Sequence, residues 1–168
     1  LILYYGIIVG FTEEFFKYII VRTRVIKSSH FDEPIDAMLY LIIASLGLAT
    51  VENLGVVFGV KIMQDIIIIS LIRLLTAIFL HTLAAAITGF FLAFCLKEKN
   101  LIKRSVIIIG GLFLSSFCHG IYDVSIVKLE TATNIFYFFL PIAIIFSMGI
   151  FVYFLFSKVK KMPRSCNL

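Results

Sequence analysis

Five apolar runs dominate this sequence, each near or above the roughly 20 residues that carry a helix across about 30 Å of hydrocarbon. They cover approximately residues 1–21, 35–58, 66–96, 105–127 and 134–157. Lipid offers the backbone no hydrogen-bond partners, so runs of this kind must be helical or belong to a closed barrel. Long Ile, Leu and Phe stretches without period-two polarity exclude the barrel. The predicted fold class is therefore all-α, a polytopic transmembrane helical bundle with about five spans in the cell membrane. A hydrophobic share of 61% fits this, since a soluble domain could not cover so much apolar surface. The third run is the longest and contains Arg73, which predicts strong tilt or a short surface helix ahead of the span, with Arg73 as counter-ion or interfacial residue.

Charge between the runs sets an orientation. Arg22, Arg24 and Lys27 follow the first run, Lys97, Lys99, Lys103 and Arg104 the third, and Lys158, Lys160, Lys161 and Arg164 the fifth. The other two loops carry Lys61 and Lys128, offset by Asp65 and Glu130. The positive-inside rule then puts Leu1 outside and a basic tail, 158–168, in the cytoplasm. The net charge of +5 is directed at lipid head groups, so nucleic acid is not an expected partner. Cys95, Cys118 and Cys166 are odd in number and lack ligand spacing, which argues against a disulfide framework or a thiolate metal site. Residues 1–168 read as one transmembrane domain that opens within an apolar run, and the expectation is a piece of a longer chain with further helices upstream. Oligomeric state is left open.

Charge inside hydrocarbon costs several kcal/mol, so each ionisable group within a run is a functional-site candidate. The first run holds Glu13, Glu14 and Lys17; the second Glu52, beside Asn53; the third His81; the fourth His119 and Asp123. At 100° per residue, Glu13 shares a face with Gly6, Gly10 and Lys17, and Glu52 with Ser45, Ala49, Gly55 and Gly59. His81 shares one with Arg73, Ala77, Ala84, Ala85 and Thr88, and His119 with Gly111, Ser115, Ser116, Tyr122 and Asp123. Stripes of small residues let helices approach, which places all four groups toward the interior and packs the Gly55 and Gly59 stretch against a neighbour. The fifth run, with Phe136, Tyr137, Phe138 and Phe139 and no charge, is a lipid-facing support.

Four carboxylates against Lys17 and Arg73 leave negative charge in excess at membrane depth, which calls for a protonated carboxyl, a charged histidine or a bound cation. A glutamate and a histidine holding one water between them are equipped to hydrolyse a carbonyl compound. Glu13 and Lys17 are four apart and are expected to pair, while Glu14 points about 100° away. His119 and Asp123 are also four apart, close enough for the carboxylate to orient the imidazole or for both to bind an oxyanion. Glu52 and Asn53 would orient the reacting groups. Cys118 adjoins His119, but an apolar helix disfavours its thiolate. Buried carboxylates and histidines on facing helices also describe a proton-coupled transporter or ion pathway, and a non-catalytic immunity or scaffold protein would share the fold.

Glu13-Glu14-Phe15-Phe16-Lys17 resembles the EExxK motif of the PrsW family of intramembrane proteases, related to the CAAX prenyl endopeptidases and bacteriocin-processing enzymes. Glu52-Asn53 resembles the family's glutamate–asparagine motif, His81 its isolated histidine, and His119-Gly120-Ile121-Tyr122-Asp123 its HGxYD motif. The motifs follow in order and cover nearly the whole chain. The resemblance implies an intramembrane endopeptidase acting on a membrane-anchored protein, of which an anti-sigma factor cut first on the outer side is the type. By motif position Glu13 is implied as general base with Glu14 beside it, His81 as its partner in positioning water, and His119 with Asp123 as oxyanion stabilisers. Lys17, Glu52 and Asn53 support them. The family has been described as metal-dependent and as glutamate-dependent. The short zincin helix motif is absent, yet His81, His119 and Glu13 could hold a divalent metal such as zinc with an open position. The CAAX branch has arginine after its paired glutamates; Lys17 stands one position earlier, which favours the PrsW branch.

One expectation conflicts with the others. Glu52 and His119 fall roughly 10 to 12 Å from the outer ends of their spans at 1.5 Å per residue, whereas Glu13 and Glu14 fall nearer the cytoplasmic end of theirs. Either the first helix continues past Val21 through Ile26, or the orientation is reversed.

Overall fold

The computed structural model describes the backbone of residue 4 and of residues 8–59, 76–131 and 136–163. Among these residues every regular element is helical: α1 (Gly10–Ile20), continued without a break by a π-helical turn over Val21–Val25, α2 (Asp36–Gly59), α3 (Ala77–Lys97), α4 (Leu101–Thr131) and α5 (Phe136–Val159). Helices α2 to α5 are long and apolar enough to cross a membrane. The start of the first run, Gly6 included, and residues 66–75 with Arg73 lie outside the described residues.

The first helix continues past Val21, as the first of the two alternatives required. The backbone N–H of Ile26 donates to Val21 O at 3.1 Å, so the first helix runs on past Val21. Glu13 stands 3.4 and 3.7 Å from ring nitrogens of His119 and His81, level with the polar groups of those helices.

The ends of the helices follow from single side chains. The Asp36 carboxylate accepts the backbone N–H groups of Asp32 and Glu33 at 3.0 and 2.8 Å, folding the 28–34 segment into a turn at the start of α2. Asn100 Oδ1 accepts the N–H groups of Ile102 and Lys103 at 2.9 and 3.2 Å, capping α4. The loop from α3 to α4 is only residues 98–100, which forces the two helices to lie antiparallel.

Helix α3 is the centre of the bundle and touches all four other helices. About two thirds of it, 67%, is buried inside the protein, against 28% for α2 and α4 and 22% for α5, so the other helices keep one face toward lipid. Its small residues are the reason. Ala84, Ala85, Ala86, Thr88 and Ala93 are buried, and Gly89 lets the backbone of α2 come so close that a β-carbon there would lie 2.5 Å from Met38 Cα. On the other side Gly111 of α4 lies against Phe91. Thr88 Oγ1 donates to Ser115 Oγ at 2.7 Å, and Ser115 passes the bond to Leu112 O at 3.1 Å. Thr88→Val should cost about 0.6 to 1.7 kcal/mol of bundle stability in reversible unfolding from detergent, the usual range for a hydrogen bond between membrane helices.

The outward faces carry large apolar side chains: Phe113, Phe117, Phe146, Tyr153 and Phe154 are exposed as lipid contacts, and Phe139 likewise on α5. The side chains of residues 136–138 lie outside the described residues. The interior stripe of α2 holds for Ser45 and Ala49, both buried, but ends there. Among the described residues a β-carbon at Gly55 or Gly59 would meet nothing within 4 Å, so none of these residues packs on the two glycines as their spacing predicted. They lie near the end of α2, beyond the stretch that α3 covers.

Candidate active site

Helix α1 delivers two adjacent carboxylates to different surroundings, as a 100° turn requires. Glu14 is fully buried and its Oε1 accepts from Lys17 Nζ at 2.6 Å, the amine itself 1% exposed. This corrects the pairing expected from spacing. Lys17 joins the glutamate three residues back, leaving Glu13 turned toward the histidines, 21% exposed and without a hydrogen-bond partner at Oε2 among the described residues.

Two histidines complete the cluster from α3 and α4. His119 Nε2 lies 3.4 Å from Glu13 Oε2, and His81 Nδ1 lies 3.7 Å from the same oxygen. The rings meet edge to face at a centroid distance of 4.9 Å. His119 Nδ1 is 3.2 Å from Glu14 Oε1, and His81 Nε2 is 3.0 Å from Glu52 Oε2. Carboxylates only accept, so each of those ring nitrogens carries its proton outward to its carboxylate. Lys17 Nζ, which only donates, approaches His81 Nδ1 at 3.1 Å and so faces a lone pair. In the neutral rings, the lone pair of His81 Nδ1 is therefore taken up by Lys17, and that of His119 Nε2 is left beside Glu13.

All the titratable residues singled out in the sequence come together except Arg73, which lies outside the described residues. Asp123 Oδ2 is 3.6 Å from His119 Nε2. Glu14 holds the other nitrogen of that ring more closely, a role the sequence expectation gave to Asp123. The pairing was invisible because residues 14 and 119 are distant in sequence and only packing brings them together. Asn53 follows Glu52 on α2 and is half-buried. The site has a closed floor of Glu14, Lys17 and the two rings, all 5% exposed or less, under a more open rim of Glu13, Glu52 and Asp123 at 21 to 29%.

With this geometry the comparison with known proteins becomes specific. The family model described as PrsW family intramembrane metalloprotease matches residues 1–153. The chain belongs to the PrsW family. It is 30% identical to Protease PrsW of Bacillus subtilis (strain 168) over 161 residues, which cover 95% of this chain and 66% of that protein. It is 32% identical to Protease PrsW of Geobacillus kaustophilus (strain HTA426) over 112 residues, 66% of this chain and 46% of that one. Against Protease PrsW of Clostridioides difficile (strain 630) the figure is 26% over 117 residues, covering 70% and 49%. The chain thus spans about half to two thirds of the length of these PrsW relatives. No solved structure matches it. Family and apolar helices together make it a multi-pass membrane protein.

A PrsW-family metalloprotease would need a place for a divalent ion, and the residues fit one. Glu13, His81 and His119 each offer a ligand atom within 4.8 Å of the others. Glu13 Oε2 is buried without a hydrogen-bond partner among the described residues, and His119 Nε2 and His81 Nδ1 lie 3.4 and 3.7 Å from it, three possible ligand atoms around a common point. Each histidine is backed by a carboxylate on its far nitrogen, the arrangement that fixes tautomer and raises ligand basicity at metal sites.

Proposed function

We propose that this chain carries the hydrolytic site of an intramembrane endopeptidase. The observation that supports the reading is the convergence of Glu13, His81 and His119 from three helices, with a buried Glu13 oxygen that has no hydrogen-bond partner among the described residues beside both rings, on a side chain that is itself 21% exposed. In a bundle with lipid around it, this is where a water can be held and a peptide admitted. The proposed substrate is a membrane-anchored protein of the anti-sigma-factor kind, the class the motif resemblance implies.

Glu13 acts as general base. It takes a proton from a water positioned between its carboxylate and the two rings, the oxygen adds to the peptide carbonyl, and Glu13 returns the proton to the departing amine. Glu52 and Glu14 hold His81 and His119 in the tautomers that aim at that water. His119, backed by Glu14 at Nδ1 and with Asp123 3.6 Å from its Nε2, lines the point where the oxyanion develops. A divalent metal held by Glu13, His81 and His119 would supply Lewis acidity and a more acidic water at the same point.

The test is cleavage of a membrane-anchored reporter by the full-length protein. Product formed by the wild type and equally by Glu13→Gln would refute the assignment. Chelation separates the two chemistries: loss of cleavage that zinc restores assigns the ion to the reaction, and undiminished cleavage assigns it to the side chains alone.

A further inference from the structure

We infer that Lys17 is a built-in competitor for the divalent-metal site, its ammonium occupying the lone pair of His81 that a bound ion would need. The inference rests on the reading of Glu13, His81 and His119 as one site. Three observations carry it. Lys17 Nζ is 3.1 Å from His81 Nδ1, the nitrogen that faces Glu13. The other ring nitrogen is committed to Glu52 at 3.0 Å, so His81 has no second lone pair to offer. Lys17 is itself fixed in place by Glu14 at 2.6 Å with both groups out of solvent, so it does not vacate the position by relaxing into water.

Glu13 and His119 Nε2 remain at the common point, whereas His81 becomes a ligand only when the ammonium gives up one of its contacts. Lys17 has three donor hydrogens, and the contact with Glu14 is the shorter and charge-assisted one. The contact with His81 is therefore the one to yield. Lys17 thus sets how tightly the site takes a divalent ion: one positive charge is already tethered beside it, and the ion must displace that charge to gain its third protein ligand. Lys17 is a positioning residue here, acting on the reaction through the ring of His81.

The readout is zinc affinity, independent of cleavage. The full-length protein in detergent is titrated with zinc against a chromophoric chelator, comparing wild type with Lys17→Met, which keeps the length of the side chain and removes its donors. Affinity should rise about tenfold or more in Lys17→Met, the scale on which groups beside a ligand tune a metal site, and Lys17→Arg should stay near wild type. The paired variant Glu14→Gln with Lys17→Met removes both charges together, and compared with Glu14→Gln alone, which shares the loss of the carboxylate behind His119, it should show the same gain. In a His81→Ala background Lys17→Met should produce no gain. Equal or weaker zinc binding by Lys17→Met and by the paired variant, each against its own reference, an undiminished gain without His81, or no zinc binding by any variant would each overturn the inference. Failure of Glu13→Gln to stop reporter cleavage would instead strike the peptidase reading, so the two can fail separately.

Discussion

Glu13→Gln should lower cleavage by about 10²- to 10⁴-fold, the contribution of a positioned general base, and leave the unfolding of the detergent-solubilised protein where it was. Its neighbour should behave in the opposite way. Glu13 lies at the accessible side of the site and its Oε2 makes no hydrogen bond among the described residues, so an amide of the same shape disturbs little. Glu14 is fully buried, bonded to Lys17 and facing His119 Nδ1. Glu14→Ala leaves a buried ammonium and an imidazole N–H without their acceptor, and breaking one partner of a buried ion pair costs about 3 to 5 kcal/mol. Folded yield and unfolding temperature should drop sharply, and activity with them. Adding Lys17→Met to Glu14→Gln should recover most of the folded yield, because the stranded charge is gone. If Glu14→Ala proves as stable as Glu13→Gln, the closed floor is not what holds the three helices together.

The second large effect lies at a glycine. Gly89→Val should strip the protein of its folded state or cost more than about 3 kcal/mol, beyond ordinary overpacking. A β-carbon at residue 89 would stand 2.5 Å from Met38 Cα, 2.8 Å from Ala37 O and 3.0 Å from Met38 N, all backbone atoms that no side-chain rotation can move aside. Helix α2 must therefore retreat from α3, and it carries Glu52 away from His81 as it goes. Gly47→Val is the control, since none of the described residues lies within 4 Å of a β-carbon there, and it should change stability by less than about 0.5 kcal/mol. Thermal unfolding of the two variants side by side, with zinc affinity as a second reading of the site, checks both.

Hydropathy alone determined that this chain is a bundle of membrane helices, because lipid leaves an apolar backbone segment no alternative to satisfying its own hydrogen bonds. The polar residues that cluster were legible for the same reason. Glu13, Glu14, Lys17, Glu52, His81, His119 and Asp123 stand out against Ile, Leu and Phe, and the small residues beside His81 and His119 showed which way those two helices face. What only the tertiary structure decided is who meets whom. Spacing of four suggested Lys17 with Glu13 and Asp123 with His119; the second contact is present at 3.6 Å, but Lys17 meets Glu14 and His81, and Glu14 adds a closer contact to His119. Helical periodicity fixes the face on which a side chain lies but not the rotation and depth of one helix against another. Those depend on Gly89 against Met38, on the π-helical turn that prolongs α1, and on α3 being slim enough to stand at the centre.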